Sequence, residues 1–231
     1  MKTGFGILIY LVTVLSAKAQ DYKQDFEKMN RVYGAENNIS VNMSYKLLLN
    51  QEDKVYADSL VGKMLMYHNE YITSIGSINQ VKNNKLMVSI DNERKIIIVS
   101  QTPSLSAPPT PISILDSLIR QKQLGIKYIV LNGSRGKYEI EESGSNIYKY
   151  DLYFDRETYL ISEVDIYFRH MPGDNMKSNS HPKLCVRYSN YNFNAPNTTA
   201  FSGANYIKLQ GNKFIPTVLY RSYQVINNYN P

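Results

Sequence analysis

YKYDLYFDRETYLISEVDIYFRH, Tyr148 to His170, is the stretch on which the fold turns. Two runs alternate in polarity on either side of a turn at DRET. Leu152 and Phe154 fall on one face of the first run, and Val164, Ile166 and Phe168 on one face of the second. Asp151, Tyr153, Glu163, Asp165, Tyr167 and Arg169 fall on the opposite face. Successive side chains of a strand point to opposite sides, so this is a hairpin with one apolar and one polar face. The apolar face needs a cover, and the rest of the chain shows how much cover there is.

The same alternation recurs in both directions. ISVNMSYKLLL places Ile39, Val41, Met43, Tyr45, Leu47 and Leu49 on one side. GKMLMYHNEYITSI and QVKNNKLMVSIDNERKIIIVS follow, with turn chemistry at Asn83-Asn84 and Asn92-Glu93, and place Leu86, Val88 and Ile90 on one side. IKYIVL, GKYEIEE and KLCVRYSNYNF read as strands, and NKFIPTVLYRSYQVI as one more strand or pair bent at Pro216. Regular short spacing points to up-and-down antiparallel pairing.

Two segments read as helices. Phe26, Met29, Val32 and Tyr33 recur at helical spacing, with Gly34 as the stop. A proline-rich loop over 101–111 leads to a second helix with Thr110 as N-cap and Pro111 at its first position, closing at Gly125. Its apolar stripe is Ile112, Leu115, Leu118 and Ile119. Residues 171–182 form a polar loop. The expected class is α+β, mainly β: a strongly curved antiparallel sheet, an incomplete barrel of about ten or eleven strands, with two short helices at its concave face.

Residues 1–19 have a basic Lys2, an apolar run from Phe5 to Leu15 and small residues at Ala17 and Ala19. This is a signal-peptide pattern with cleavage before Gln20, and it predicts an exported, periplasmic or envelope-associated product of bacterial type. The run is too short to span a bilayer and no later segment is apolar enough, so membrane insertion is not expected. The 212 residues from 20 to 231 suit a single half-barrel domain. Loss of Lys2 and Lys18 lowers the net charge from +6 to +4. With no basic block, nucleic acid is not an expected partner. The lone Cys185 rules out an internal disulfide.

Catalytic and metal chemistry find little support. His68, His170 and His181 lack the i, i+4 spacing of paired ligands, although His170 and His181 flank one polar loop that also holds Asp174. No G-x-S-x-G elbow is present. Cys185 alternates with Leu184 and Val186 and reads as a structural thiol. Glu163 and Asp165 share a face with Arg169 and Tyr167, which reads as a solvated sheet surface. No catalytic residue, metal or cofactor is expected, and the protein is not expected to be an enzyme.

The order of elements resembles the periplasmic lipoprotein carriers and outer-membrane acceptors, the LolA/LolB-like half-barrels. The likeness is carried by DFEKMNRVYGAENNISVNMSY, TPISILDSLI, and YDLYFDRETYLISEVDIYF followed by RYSNYNF. It implies an incomplete barrel that holds acyl chains on its concave face under helices acting as a lid.

Independently of that resemblance, sheet area points the same way. Ten or eleven strands at ~4.8 Å spacing span on the order of 50 Å, whereas two helices each cover ~10 Å. An apolar cavity for lipid or lipoprotein acyl chains is therefore expected, lined by Val41, Met43, Tyr45, Leu47, Leu86, Val88, Ile90, Leu152, Phe154, Val164, Ile166 and Phe168. The helix carrying Ile112, Leu115, Leu118 and Ile119 would be its lid. The alternative is a non-enzymatic structural or interaction protein of the cell envelope, with a filled core and envelope proteins as partners.

Overall fold

The computed structural model describes residues 22–34, 38–102, 125–171 and 181–229. The expected signal peptide and second helix lie outside these residues, as do most of the proline-rich loop and of the polar loop. One α-helix is described, α1 (Tyr22–Val32). Asp25 in its first turn suits the positive end of the helix dipole, and Phe26 and Met29 turn inward.

Six strands follow as a meander: β1 (Ile39–Leu48), β2 (Asp58–Tyr67), β3 (Glu70–Ile75), β4 (Ile78–Lys82), β5 (Leu86–Asp91) and β6 (Ile96–Gln101). A second meander comprises β7 (Gly125–Val130), β8 (Arg135–Glu141), β9 (Ile147–Asp155), β10 (Ile161–Phe168) and β11 (Lys183–Asn192). β1 and β11 pair antiparallel and join the two. A hairpin of β12 (Ile207–Gln210) and β13 (Lys213–Pro216) precedes β14 (Gln224–Asn228), which pairs parallel with β6. The main sheet runs β14-β6-β5-β4-β3-β2-β1-β11-β10-β9-β8-β7 and is open, with β14 and β7 as its edges.

The expected count of about ten or eleven strands is corrected to twelve in this sheet and two in the hairpin. The shortfall has a local cause. His68-Asn69 and Gly76-Ser77 are two-residue turns, with His68 at φ 52° and Gly76 at φ 55°. The first cuts the run GKMLMYHNEYITSI into two strands, and the second separates β3 from β4.

Register shows which side chains share a face. On the side that α1 covers, one row crosses seven strands as Leu60, Tyr45, Val186, Val164, Leu152, Tyr138 and Tyr128. The next row is Asp58, Leu47, Leu184, Ile166, Tyr150, Ile140 and Ile126. A main core forms here: Phe26 and Met29 of the helix, with Tyr33 just past its end, pack on Ile39, Val41, Met43, Met64, Met66, Tyr138, Leu152, Phe154 and Ile161. Phe26 meets Tyr138 edge-on at 5.1 Å, and Phe154 stacks on Tyr138 at 5.5 Å. The Phe154 ring also lies across Gly136, where a Cβ would come within 2.9 Å of it.

Beyond β3 the buried face changes sides. Val81 pairs with Ile72 and Val88, and Val88 with Val99, in register with Leu65 and Ser40 rather than with Met64 and Met66. Val88, Ile90, Ile97 and Val99 thus form a second core on the far side of the sheet. The C-terminal segment covers it with Ile207, Tyr206, Phe214, Tyr220, Tyr223 and Val225. On the helix side of these same strands a polar ladder runs from the Tyr71 hydroxyl to Gln80 Oε1 at 3.0 Å and from Gln80 Nε2 to Ser89 Oγ at 3.2 Å.

Candidate functional site: an apolar groove beside the main core

α1 covers only one end of its face. Past Met43, the strands β1, β2 and β11 carry apolar side chains beyond the helix. Tyr45, Leu47, Leu60, Phe168, Met171 and Leu184, with Asp58 and Ser59 at one end, line a groove of about 310 Å³. That is at the lower end of the ~300–1,000 Å³ usual for ligand pockets. Leu60 is 45% exposed, so the groove opens to solvent. The Tyr45 hydroxyl donates to Met43 Sδ at 3.3 Å, so its polar tip is turned toward the main core. Burial raises that phenol's pKa above its ordinary value.

Register explains why the groove sits here. Tyr45 lies opposite Leu60 on one side and Val186 on the other, and Leu47 lies opposite Asp58 and Leu184. β3 pairs with β2 only from Gly62 onward, so Asp58 to Val61 extend past their neighbour. All four are exposed. The exposed apolar side chains of Leu49, Val55, Tyr56 and Val61 belong to this same corner of the chain.

The residues expected to line one cavity divide into three sets. Tyr45, Leu47 and Phe168 line the groove. Val41, Met43, Leu152, Phe154 and Val164 are buried in the main core, and Ile166 packs at its margin. Leu86, Val88 and Ile90 belong to the second core on the far side, so the expected shared inward face is corrected for these three. The alternation within each strand is right, but its sign relative to the helix reverses between β3 and β5. Ile112, Leu115, Leu118 and Ile119 fall outside the described residues. Leu60, Leu184, Met171 and Asp58 were not among the expected residues. Leu184 was legible from its register beside Cys185, and Leu60 only from extending its strand two residues ahead of Gly62.

The far face of β8 to β11 differs from the expected solvated surface. Asp151 and Asp165 oppose each other directly and are each only 2% exposed. Like charges placed so repel, and lysines of the neighbouring strand β11 and of β9 itself answer them. Lys183 Nζ lies 2.7 Å from Asp165 Oδ2 and Lys149 Nζ 3.3 Å from Asp151 Oδ1. The Tyr167 hydroxyl donates to Asp151 Oδ2 at 3.0 Å. Charged stems and tyrosine rings roof the acids, which is why alternation alone misreads them as wet.

Glu163, Asp165 and Cys185 each offer an atom within 4.8 Å of the others. Lys183 and Arg187 already supply positive charge to the two carboxylates, so the cluster reads as an ion-pair lattice. Burial pushes the Cys185 thiol up to about 12, away from the thiolate a nucleophile needs. His170 and His181 both line a polar pocket with Gln51, Tyr148 and Arg169, while Asp174 lies outside the described residues. No described helix is long and apolar enough to cross a membrane.

No model of a known protein family and no curated protein matches the chain. Solved structures of similar shape include a LolA superfamily protein from Nitrosomonas europaea, at 12% identity and TM-score 0.37, covering 79% of this chain and 97% of that one. An uncharacterised conserved protein from Thermus thermophilus is similar at 8% identity and TM-score 0.49, covering 90% and 99%. A third, described as an outer-membrane lipoprotein-sorting protein domain from Vibrio parahaemolyticus, is similar at 11% identity and TM-score 0.36, covering 79% and 97%.

Proposed function

We propose that this is an exported, non-enzymatic binding protein that seats a single acyl chain in the groove between Leu60 and Leu184. One observation carries the reading. The main core is filled by α1 and the second core by the C-terminal segment, yet beside the main core Tyr45, Leu47, Phe168, Met171 and Leu184 line an apolar groove that opens to solvent at Leu60. The pocket is therefore smaller than sheet area alone suggests, and it lies beside the core rather than within it.

Each methylene removed from water contributes about 0.8 kcal/mol, so eight seated methylenes would give ~6 kcal/mol before ordering costs. A lipid or lipoprotein tail in the cell envelope has the required chemistry. A second reading is favoured by Leu49, Val55, Tyr56 and Val61, whose exposure suits a protein partner docking on the same corner.

The neutral fluorophore Nile red tests the groove. Its emission should rise on mixing with the protein and fall again when decanol is added. Leu184→Asn and Leu60→Asn should each lose most of that rise, while Val218→Asn, on the exposed turn after β13, should keep it. Uptake that survives both groove substitutions with the fold intact would remove the acyl-chain reading and leave the docking one.

A further inference from the structure

Asp58 is the first residue of β2, and its side chain falls in the helix-face row directly opposite Leu47. It lines the end of the groove. Its Oδ1 accepts a hydrogen bond from the backbone N–H of Ser59 at 2.7 Å. No described cation pairs with it.

The other described lining residues are Tyr45, Leu47, Ser59, Leu60, Phe168, Met171 and Leu184, none of them charged. The nearby lysines are committed elsewhere. Lys46 is on the opposite face of β1, with its Nζ 4.6 Å above the Tyr56 ring. Lys183 is held on Asp165.

From this we infer that the groove selects an amphiphile with a cationic head group, an alkylammonium type of ligand, over one that ends in a carboxylate. The inference rests on the acyl-chain reading of the groove and adds the sign of the head. An apolar tail lying along Leu47, Leu184 and Phe168 puts its head at the Asp58 end, where the side chain is exposed. A unit charge ~5 Å from the carboxylate in water-like surroundings changes affinity about fourfold, in favour of a cation and against an anion. The two effects together separate an ammonium from a carboxylate of equal tail length by on the order of tenfold at low salt.

Three ligands of one tail length test this by displacing Nile red from the full chain: decylammonium, decanoate and decanol, all below micellar concentrations. Decylammonium should displace the dye at roughly one-tenth the concentration that decanoate needs, with decanol between them. The ratio should shrink as salt is added. In Asp58→Asn it should fall to about one, and in Asp58→Lys it should invert. Decanoate competing as well as decylammonium, or a preference unchanged in both variants, would overturn the head-group inference while leaving the groove in place. Failure of all three to compete would overturn the groove and the inference together.

Discussion

Tyr33, Tyr191 and Ile161 form a closed hydrogen-bond ring that fastens the end of α1 to the sheet. The Ile161 N–H donates to the Tyr33 hydroxyl at 2.9 Å, and the Tyr191 hydroxyl donates to the Ile161 carbonyl at 2.7 Å. Since Tyr191 spends its hydrogen there, Tyr33 must supply the hydrogen for the 2.7 Å contact between the two hydroxyls. Asn190, at φ 56° beside a register shift in the β1–β11 pair, turns the strand so that Tyr188 and Tyr191 both aim at the helix side. Tyr33→Phe removes the acceptor and leaves the buried Ile161 N–H unpartnered, at a cost of about 1–3 kcal/mol measurable by urea unfolding. Burial raises the Tyr33 pKa to about 12. A raised pKa means that the folded state holds this proton where the unfolded chain has lost it. The contribution is thus complete below pH ~10 and disappears as pH climbs to about 12. Stability should fall over that window, and part of the slope should vanish in Tyr33→Phe. An unchanged slope would show that the ring is not what titrates.

Among the elements, the β9–β10 hairpin shows what sequence can and cannot supply. Its turn was legible because Asp155 and Thr158 are spaced for side-chain bonds to backbone. Asp155 Oδ1 accepts from the N–H groups of Glu157 and Thr158, at 3.0 and 2.8 Å, and from Thr158 Oγ1 at 2.9 Å. Ser134 Oγ ties the carboxylate to the β7–β8 turn. These donors, Ser134 foremost, lower the Asp155 pKa to about 2. A depressed carboxylate stabilises the fold above its unfolded pKa near 4 and loses that effect as pH falls to about 2. Protection of the Thr158 amide, its exchange rate relative to the unfolded chain at the same pH, should therefore drop across that interval, and in Asp155→Asn it should be low already at neutral pH. The pairing partners of the hairpin were not legible. Alternation assigns Leu152 and Val164 to one face without saying which other strands share it, and Val88 shows the consequence: its own strand pattern is equally regular, yet its face is the opposite one. A strand carries its period locally, whereas the sign of its face depends on neighbours that the turns and the tail select.

For the molecule as a whole, the C-terminal segment supplies cover on the face that α1 does not reach. The chain leaves β11 in the middle of the sheet and reaches the β6 edge, where β14 adds in parallel. Along the way Ile207, Tyr206 and Phe214 settle on the far side of β5 and β6. The sheet therefore has two cores on opposite faces, joined through β3 and β4, and the groove corner lies outside both. Such an arrangement predicts local weakening. Ile207 is 3% exposed in the second core and touches none of the first, and Ile207→Ala should cost about 2–5 kcal/mol where the site cannot collapse. Hydrogen exchange resolves where that loss falls: amides of β5, β6 and β14 should exchange faster, while those of β8, β9 and β10, packed under Phe26 and Met29, should hold their protection. Nile red uptake should also persist, because the groove shares no side chain with the second core. If protection falls evenly from β14 to β7, the two cores behave as one cooperative unit, and the C-terminal segment supports the groove as well as its own strands.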